Sequence, residues 1–269
     1  GGLNSITDEQ AESLSKVPTL FLKGLTSITD AQAESLSKVE KLLLNGLTSI
    51  TDAQAESLSK VENLELNSLT SITDELLESL IKSYKKRQNF SAWPPLELNG
   101  LASITDKQAA SLSKLSALYL NGLTSITDKQ AESLSEVVGL ELNDLTSITD
   151  EQAESLSRVT ALSLGGLMLI TDKQAEILSK TEVTLELSGL ESISDKQAEI
   201  LSKVNKLYLN GLTSITDAQA ELLSEVEGEL HLTGLTSITE KQAESLSKFN
   251  RGLEISKALQ PLIDKYKKQ

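Results

Sequence analysis

The chain contains 269 residues, among them one histidine, no cysteine, 25 basic and 39 acidic side chains. The lack of cysteine excludes a disulfide framework, a thiolate metal site and a cysteine nucleophile, and one histidine leaves little for imidazole-based catalysis. The formal net charge of −14 opposes binding to nucleic acid or anionic lipid, and the apolar runs are too short for membrane insertion. These totals predict a protein that is not an enzyme and uses no cofactor.

The first feature in chain order is a repeat that extends over almost the whole sequence. Gly-Leu-Thr-Ser-Ile-Thr-Asp recurs unchanged from Gly24, Gly46, Gly122 and Gly211, and close variants bring the total to eleven units, most of them 22 residues long. One unit cannot bury its own leucines, so neighbouring units must stack. We therefore predict one elongated repeat domain over residues 1–256. Units this similar indicate recent duplication or consensus design.

Residues 46–67 illustrate one unit. The Thr51 hydroxyl can cap the backbone amide of Gln54 while the Gln54 side chain reaches back, and Asp52 suits the helix dipole. Apolar residues then recur at spacings of three, which predicts a helix from about residue 52 to residue 60. The alternation in Leu64-Glu65-Leu66 predicts a short strand. Because stacked strands are about 4.8 Å apart and helices about 8–10 Å apart, the strands are expected to line the inside of a curve.

The run Leu-x-Leu-x-Gly-Leu-x-x-Ile-Thr-Asp at residues 42–52 resembles leucine-rich repeats of the cysteine-containing subtype, with Leu47 in place of the usual cysteine. The units, of 22–23 residues, are shorter than the roughly 26 residues usual in that subtype. The resemblance implies an α/β fold: a curved right-handed solenoid (horseshoe) with parallel strands on its concave face and short helices on its convex face. It also implies a binding role. No F-box precedes the repeats, so a ubiquitin-ligase adaptor role does not follow.

The residue between the two strand leucines varies freely between units and points opposite to them, onto the predicted concave face. Tyrosine beside glutamate suits a partner with basic or polar groups. Drift at an exposed site without function is an equally good explanation. His231 belongs to this set and is interpreted as an exposed histidine rather than a catalytic one. The predicted partner-binding residues from the strands are Phe21, Leu43, Glu65, Glu97, Tyr119, Glu141, Tyr208 and His231.

Asparagine recurs two positions further along the strand. Parallel strands would stack these side chains, so we predict a ladder of amides that hydrogen-bond one another, in preference to a polar ligand site. The asparagines are Asn45, Asn67, Asn99, Asn121, Asn143 and Asn210.

One unit is lengthened by an insertion at residues 82–95. Its helix is predicted to continue to about Arg87, and a loop then carries Phe90 and Trp93. The two aromatic side chains are predicted to cover the apolar face of the longer helix. Trp93 is also retained as a partner-binding candidate, because Trp and Phe beside a basic cluster can anchor a protein. A nucleic-acid contact by this cluster is disfavoured by the net charge.

The two ends of the chain differ. Residues 257–269 place Leu259, Leu262, Ile263 and Tyr266 on one face, which predicts a C-terminal capping helix; the segment is short for an amphipathic membrane helix. At the other end the sequence enters a repeat directly. An uncapped N-terminal edge indicates either a missing preceding region or end-to-end self-association.

The leading functional hypothesis is a non-enzymatic scaffold that binds a protein or peptide on its concave face. The alternatives are a structural spacer or cell-surface adhesin stalk, and a glycan binder that uses Tyr119 and Tyr208 as platforms. No metal is expected, because Thr-Asp-x-Gln lacks the oxygen density of a calcium loop. A secreted or cell-surface location and a cytoplasmic one both fit the sequence.

Overall fold

The computed structural model describes residues 3–87, 95–249 and 252–267, apart from the side chains of residues 86 and 87. The chain divides into two compact units, Gly1–Leu123 (unit 1) and Thr124–Gln269 (unit 2). The single repeat domain over residues 1–256 and the separate cap over residues 257–269 stay predictions.

Short helices alternate with short strands throughout the described residues. In unit 1 the elements are α1 Asp8–Leu14, β1 Thr19–Phe21, α2 Asp30–Leu36, β2 Lys41–Leu43, α3 Asp52–Leu58, β3 Asn63–Glu65, α4 Asp74–Arg87, β4 Leu96–Glu97, α5 Asp106–Leu112 and β5 Ala117–Tyr119. In unit 2 they are α6 Asp128–Leu134, β6 Gly139–Glu141, α7 Asp150–Leu156, β7 Ala161–Ser163, α8 Asp172–Leu178, β8 Thr184–Glu186, α9 Asp195–Leu201, β9 Lys206–Tyr208, α10 Asp217–Leu223, β10 Glu229–Leu232, α11 Glu240–Ser247, β11 Leu253–Ile255 and α12 Gln260–Lys267.

The strands pair in parallel and in chain order. In unit 1, β1, β2 and β3 form one sheet, whereas β4 pairs with β5 and is not a hydrogen-bonded neighbour of β3 among the described residues. In unit 2, each strand from β6 to β10 pairs with the strand that follows it. The register places strand leucines opposite one another, for example Leu162, Leu185 and Leu207. The predicted α/β repeat of strand and short helix is confirmed.

The repeat helices other than α4 begin at a set of residues that we call the capping row, formed by Thr51, Asp52, Gln54 and their equivalents. The predicted capping box is confirmed: the Thr51 hydroxyl accepts the Gln54 backbone N–H at 3.2 Å, and the Gln54 side chain accepts the Thr51 backbone N–H at 3.0 Å. The row also joins repeats. Gln54 Nε2 donates to the Ile28 carbonyl of the preceding repeat at 2.9 Å, and the Thr51 hydroxyl donates to Asp30 at 3.0 Å. The same glutamine bond to the preceding repeat is made by Gln32, Gln108, Gln152, Gln174, Gln197, Gln219 and Gln242.

The third repeat helix ends at Leu58, two residues before the predicted end. The backbone tightens there, because the Lys60 N–H donates to the Ser57 carbonyl at 3.2 Å and the Val61 N–H donates to the Leu58 carbonyl at 3.0 Å. These bonds connect residues three apart, as in a 3₁₀ turn. Such a turn is tighter than a turn of α-helix, whose bonds connect residues four apart. The turn brings Val61 into the core, where its side chain is 2 % exposed.

The core lies between the sheet and the helices, and each repeat adds one layer to it. In the representative repeat Leu47, Ala55, Leu58 and Leu66 are all buried. Burial of each leucine is worth roughly 1.5–3 kcal/mol, so most of the stability of a layer comes from its aliphatic side chains. The few aromatic residues of the sequence are therefore consistent with thin layers filled by Leu, Ile, Val and Ala.

The long helix of unit 1 extends to Arg87, as predicted. Its apolar residues Leu76, Leu77, Leu80, Ile81 and Tyr84 are buried. Phe90 and Trp93, which were predicted to cover this helix, lie outside the described residues.

The last helix of unit 2 packs on α11. Ile263 is fully buried, and Lys265 Nζ lies 2.8 Å from a Glu240 carboxylate oxygen. Across the described segments, none of the helices combines the length and the apolar character required to cross a bilayer.

Candidate functional site

Two residues of each strand form a sheet surface that we call the strand face of each unit. The first lies between the two strand leucines, and the second lies two positions before the first. Side chains in a strand alternate between two sides, so these residues point away from the core. In β9, for example, Leu207 is fully buried whereas Tyr208 and Lys206 are partly exposed. The face that the sequence analysis singles out is therefore present in each unit.

In unit 1 the strand face begins with an apolar pair. Phe21 is 60 % exposed, but Leu43 is only 4 % exposed, so the predicted exposure of Leu43 is wrong. The register explains this burial: Leu43 lies directly between Phe21 and Glu65, whose larger side chains flank it. Leu43 therefore offers almost no surface to a partner.

The two glutamates of the unit 1 strand face are held by asparagines of the preceding repeats. Asn45 Nδ2 donates to Glu65 at 3.4 Å, and Asn67 Nδ2 donates to Glu97 at 2.7 Å. The second bond connects the ends of β3 and β4, which do not pair directly. Glu97 is in register with Tyr119, so a carboxylate and a phenol lie side by side. Both glutamates remain partly exposed.

Where bonds of these asparagines are seen within a unit, they run to backbone N–H groups, carboxylates and hydroxyls, and not from amide to amide as the predicted ladder requires. The Asn45 side-chain oxygen accepts the backbone N–H of Asn67 at 3.3 Å, and Asn99 accepts that of Asn121 at 3.1 Å. In unit 2 the Asn143 oxygen accepts the Gly165 N–H at 2.8 Å. These backbone N–H groups lie beyond the last paired residues of the strands, so each needs an acceptor. They therefore compete for the asparagine oxygens more strongly than the side-chain amides of neighbouring repeats do.

In unit 2 the strand face begins with polar groups. Ser163 is only 6 % exposed, and its hydroxyl lies 2.6 Å from the Asn143 side-chain oxygen and 2.7 Å from a Glu186 carboxylate oxygen. Glu141 is in register with Ser163 and is partly exposed. Glu186 is thus positioned by a bond within the fold, as Glu65 and Glu97 are in unit 1.

A compact cluster follows on β9 and β10 and contains Lys206, Tyr208, Glu229 and His231. The rings of Tyr208 and His231 are stacked, with centroids 3.9 Å apart and an interplanar angle of 16°. Lys206 Nζ lies 2.6 Å from Glu229 Oε1, and His231 Nε2 lies 3.7 Å from Glu229 Oε2. The parallel register places Tyr208 directly opposite His231 and Lys206 opposite Glu229, which explains why these four side chains meet.

The charges in this cluster support one another. The hydrogen bond from Lys206 holds the pKa of the Glu229 carboxyl below its usual value, and the same bond raises the pKa of the Lys206 ammonium. Burial raises the pKa of the Tyr208 hydroxyl, and the nearby Glu229 carboxylate adds to the rise. At neutral pH the cluster therefore consists of an ion pair beside a neutral phenol.

Lys206 and Glu229 were missed by the sequence analysis, which considered only the residue between the leucines. The period of two that placed Tyr208 and His231 on the face also places the residues two positions earlier there. The exposed apolar residues Met168 and Leu169, 56 % and 75 % exposed, were missed as well. They replace the Thr-Ser pair found in most repeats, and that departure from the consensus was the signal.

The structure gives the locations of most of the other predicted site residues. Tyr119, Glu141, Tyr208 and His231 lie on the strand faces of their units, and Trp93 lies outside the described residues. Within the described parts of the chain, no three His, Asp or Glu side chains are grouped so that they could hold a metal ion.

Comparison with known proteins identifies the fold. No protein-family model matches the sequence, and no significant match is found among curated proteins. The solved structure of LegL7, a leucine-rich-repeat-containing protein from Legionella pneumophila, is similar with a TM-score of 0.55 and 14% identity over 94% of this chain and 98% of that one. TLR13 in its complex with ssRNA13 gives 0.53 and 17% identity over 91% of this chain, which spans only 37% of the TLR13 chain. An internalin (inlF) from Listeria monocytogenes covers 94% of this chain and 83% of its own at 18% identity, but its TM-score of 0.45 carries no weight.

The repeated units are therefore leucine-rich repeats, and the fold is an α/β leucine-rich-repeat solenoid. The resemblance stated from the sequence is confirmed at this level. The assignment to the cysteine-containing subtype stays a prediction.

Proposed function

We propose that this protein is a non-enzymatic scaffold that binds a protein or peptide through the strand face. The observation that carries the proposal is the contrast between positions within one repeat. Core leucines and the capping row are nearly constant along the chain, whereas the strand face changes from Phe21 through Glu141 to His231. Aromatic and charged side chains that are partly exposed and already oriented by neighbours are typical of protein interfaces, because little side-chain entropy is lost on binding.

The charge of the strand face argues against an RNA ligand of the kind present in the TLR13 complex. In unit 2 this face carries Glu141, Glu186, Glu229 and Glu254 against Lys206 alone. A phosphate backbone would be repelled by such a surface, since nucleic-acid affinity depends on cations that replace condensed counterions. A peptide with basic or polar side chains fits the same surface.

The proposal can be tested with a displayed library of random peptides selected on the wild-type protein. Peptides that bind should lose at least about tenfold in affinity, or 1.4 kcal/mol, towards a Glu141→Gln, Glu186→Gln variant. A Glu199→Gln, Glu221→Gln variant is the matched control, because it removes the same number of charges from exposed positions on α9 and α10. Both variants should fold like the wild type.

Two results would contradict the proposal. If the outer-helix control lowers the affinity as much as the strand-face variant, binding depends on overall charge. If the library yields no peptide that depends on the strand face, a structural spacer becomes the better explanation of the repeats. A binding loss confined to the strand-face variant supports the scaffold.

A further inference from the structure

A depression lies on the strand face of unit 2 beside the Tyr208–His231 stack. It has a volume of about 340 Å³ and is lined by Gly228, Glu229, His231, Gly252 and Glu254. Gly252 has no side chain to fill it. Gly252 has a φ of 62°, in the left-handed region, and a Cβ there would lie 2.7 Å from Glu229 Cγ. The local backbone therefore requires glycine at this point, and the depression is a consequence of the fold.

His231 forms one wall of the depression with its planar imidazole ring, whose orientation is restricted by its neighbours. Tyr208 covers one side of the imidazole in a stack with an angle of 16°, and the parallel register places Glu254 next to His231 on the other side, on β11. A planar group that enters the depression meets the imidazole face that Tyr208 does not cover. The Tyr208 stack restricts the orientation of the His231 ring, and the Glu229 carboxylate lies 3.7 Å from Nε2.

The remaining walls are acidic. Glu229 is partly neutralised by Lys206 at 2.6 Å, but Glu254 is exposed and makes no ion pair among the described residues. Among the described residues that line it, the depression therefore carries a net negative charge at neutral pH. This charge favours a cation as the occupant, and the flat imidazole wall favours a planar one.

The guanidinium group of arginine meets both requirements. It is planar, permanently charged and weakly hydrated, it stacks on aromatic rings, and its fork of N–H donors fits a carboxylate. The ammonium of lysine satisfies the charge but cannot stack, and it loses more hydration on entering. A phosphate or carboxylate group would face Glu229 and Glu254 directly.

We infer that this depression binds an arginine side chain of the partner, with the guanidinium against the His231 ring and paired with Glu254. This inference rests on the proposed function, because it names the chemistry of the partner that the strand face of unit 2 recognises. Glu229 contributes negative charge, and Tyr208 restricts the orientation of the imidazole.

The only histidine of the chain makes the site directly observable, because its ring protons need no assignment against other histidines. The test is a titration of the full chain with N-acetyl-arginine amide, followed by the NMR signal of the His231 Cε1 proton. At about pH 8 we expect a saturable shift with a Kd on the order of 1–10 mM. N-acetyl-lysine amide should bind at least about fivefold more weakly, and N-acetyl-citrulline amide, which has the shape without the charge, should give no saturable shift.

Two variants distinguish a specific pairing of arginine with Glu254 from a general effect of acidic charge on arginine binding. Glu254→Gln should weaken arginine binding by at least about fivefold, whereas Glu244→Gln, on the exposed side of α11, should leave it within about a factor of two. Both variants should keep the wild-type circular dichroism spectrum and melting temperature, which shows that the fold is retained. Equal binding of lysine and arginine, or equal losses in the two variants, would overturn the inference.

The outcome is distinguishable from failure of the proposed function. If library peptides depend on Glu141 and Glu186 but arginine leaves the His231 signal unchanged, the scaffold stands and the arginine site is wrong. If arginine shifts the signal as expected but no peptide depends on the strand face, the site binds a guanidinium and the peptide scaffold is wrong.

Discussion

The capping row and the strand face are two sides of the same repeat, and they use polar residues in different ways. In the capping row, Gln54 is 7 % exposed and bonds both its own helix start and the Ile28 carbonyl of the preceding repeat. On the strand face, Glu141 and Tyr208 are partly exposed, and their identity changes from one repeat to the next. Polar groups that join repeats must stay constant, because each leaves an unpaired partner when removed. Polar groups that face outward can vary, and these can recognise a ligand.

The comparison predicts the largest loss of stability where two repeats touch through the backbone. In Gly166→Ala the new Cβ would lie 2.6 Å from the Leu145 carbonyl oxygen and would also collide with the Asn143 carbonyl oxygen. Backbone atoms cannot give way, so we expect a loss of roughly 2–3 kcal/mol in the free energy of unfolding, measured by urea denaturation. Gly165→Ala is the comparison and should lose less: its Cβ would meet the Asn143 side chain at 2.9 Å, which can shift at the cost of its bonds to Gly165 and Ser163, whereas a backbone carbonyl cannot. Equal losses in the two variants would show that the close backbone approach is unimportant.

A capping-row glutamine should have the next largest effect. Gln152 accepts the Thr149 N–H at 2.9 Å and donates to the Ile126 carbonyl at 2.9 Å, and it is 8 % exposed. Gln152→Ala removes both bonds and leaves the buried Ile126 carbonyl and the part-buried Thr149 N–H without these partners, so a loss of about 2 kcal/mol is expected. The neighbouring Glu151→Ala, at an exposed position, should change the unfolding free energy by less than about 0.5 kcal/mol. A loss below that limit for Gln152→Ala would refute the structural role of the row.

Replacing one buried residue of unit 2 should raise the stability of the fold. Thr181 is 3 % exposed, and its hydroxyl makes no hydrogen bond among the described residues, whereas Val159 and Val204 occupy the equivalent positions of neighbouring repeats. Thr181→Val keeps the shape and removes an unpaired hydroxyl, so stability should rise by about 1 kcal/mol. Thermal unfolding checks the change, with Thr184→Val, on the strand face, as a variant expected to give no such gain. A lower melting temperature for Thr181→Val would mean that the hydroxyl has a role we have not identified.

The strand face should give the smallest effect on stability. Glu141→Gln is expected to shift the unfolding free energy by less than about 0.5 kcal/mol, because the side chain is partly exposed and outside the core. The measurement is again urea denaturation, alongside the peptide binding described above. A loss as large as that of Gln152→Ala would remove the distinction between the two sides of the repeat.

The repeat structure could be predicted from the sequence because its signals are local. The capping box connects residues three apart, and the strand alternation has a period of two, so both are readable within one unit. The bond from Gln54 to Ile28 spans 26 residues and depends on how repeats stack. It could not be found from the pattern of one unit.

The candidate site was predictable only in outline. The sequence placed Tyr208 and His231 on one face, but their stack depends on the register between β9 and β10. Leu43 was expected to be exposed and is buried, since exposure depends on the size of the neighbouring side chains as well as on the direction of the strand. The asparagine bonds were misassigned because the competing backbone N–H groups are invisible in the pattern of side chains.

Carboxyl labelling with carbodiimide and an amine tests the central claim most directly, because the two sides of the repeat carry glutamates that can be compared in one digest. The measurement is the labelling of Glu141, Glu186 and Glu254 relative to Glu199 and Glu221, with and without a library-selected peptide. The account predicts that the peptide lowers labelling of the strand-face carboxyls and leaves that of the outer-helix carboxyls unchanged. Protection of the outer helices with no change on the strand face would contradict it.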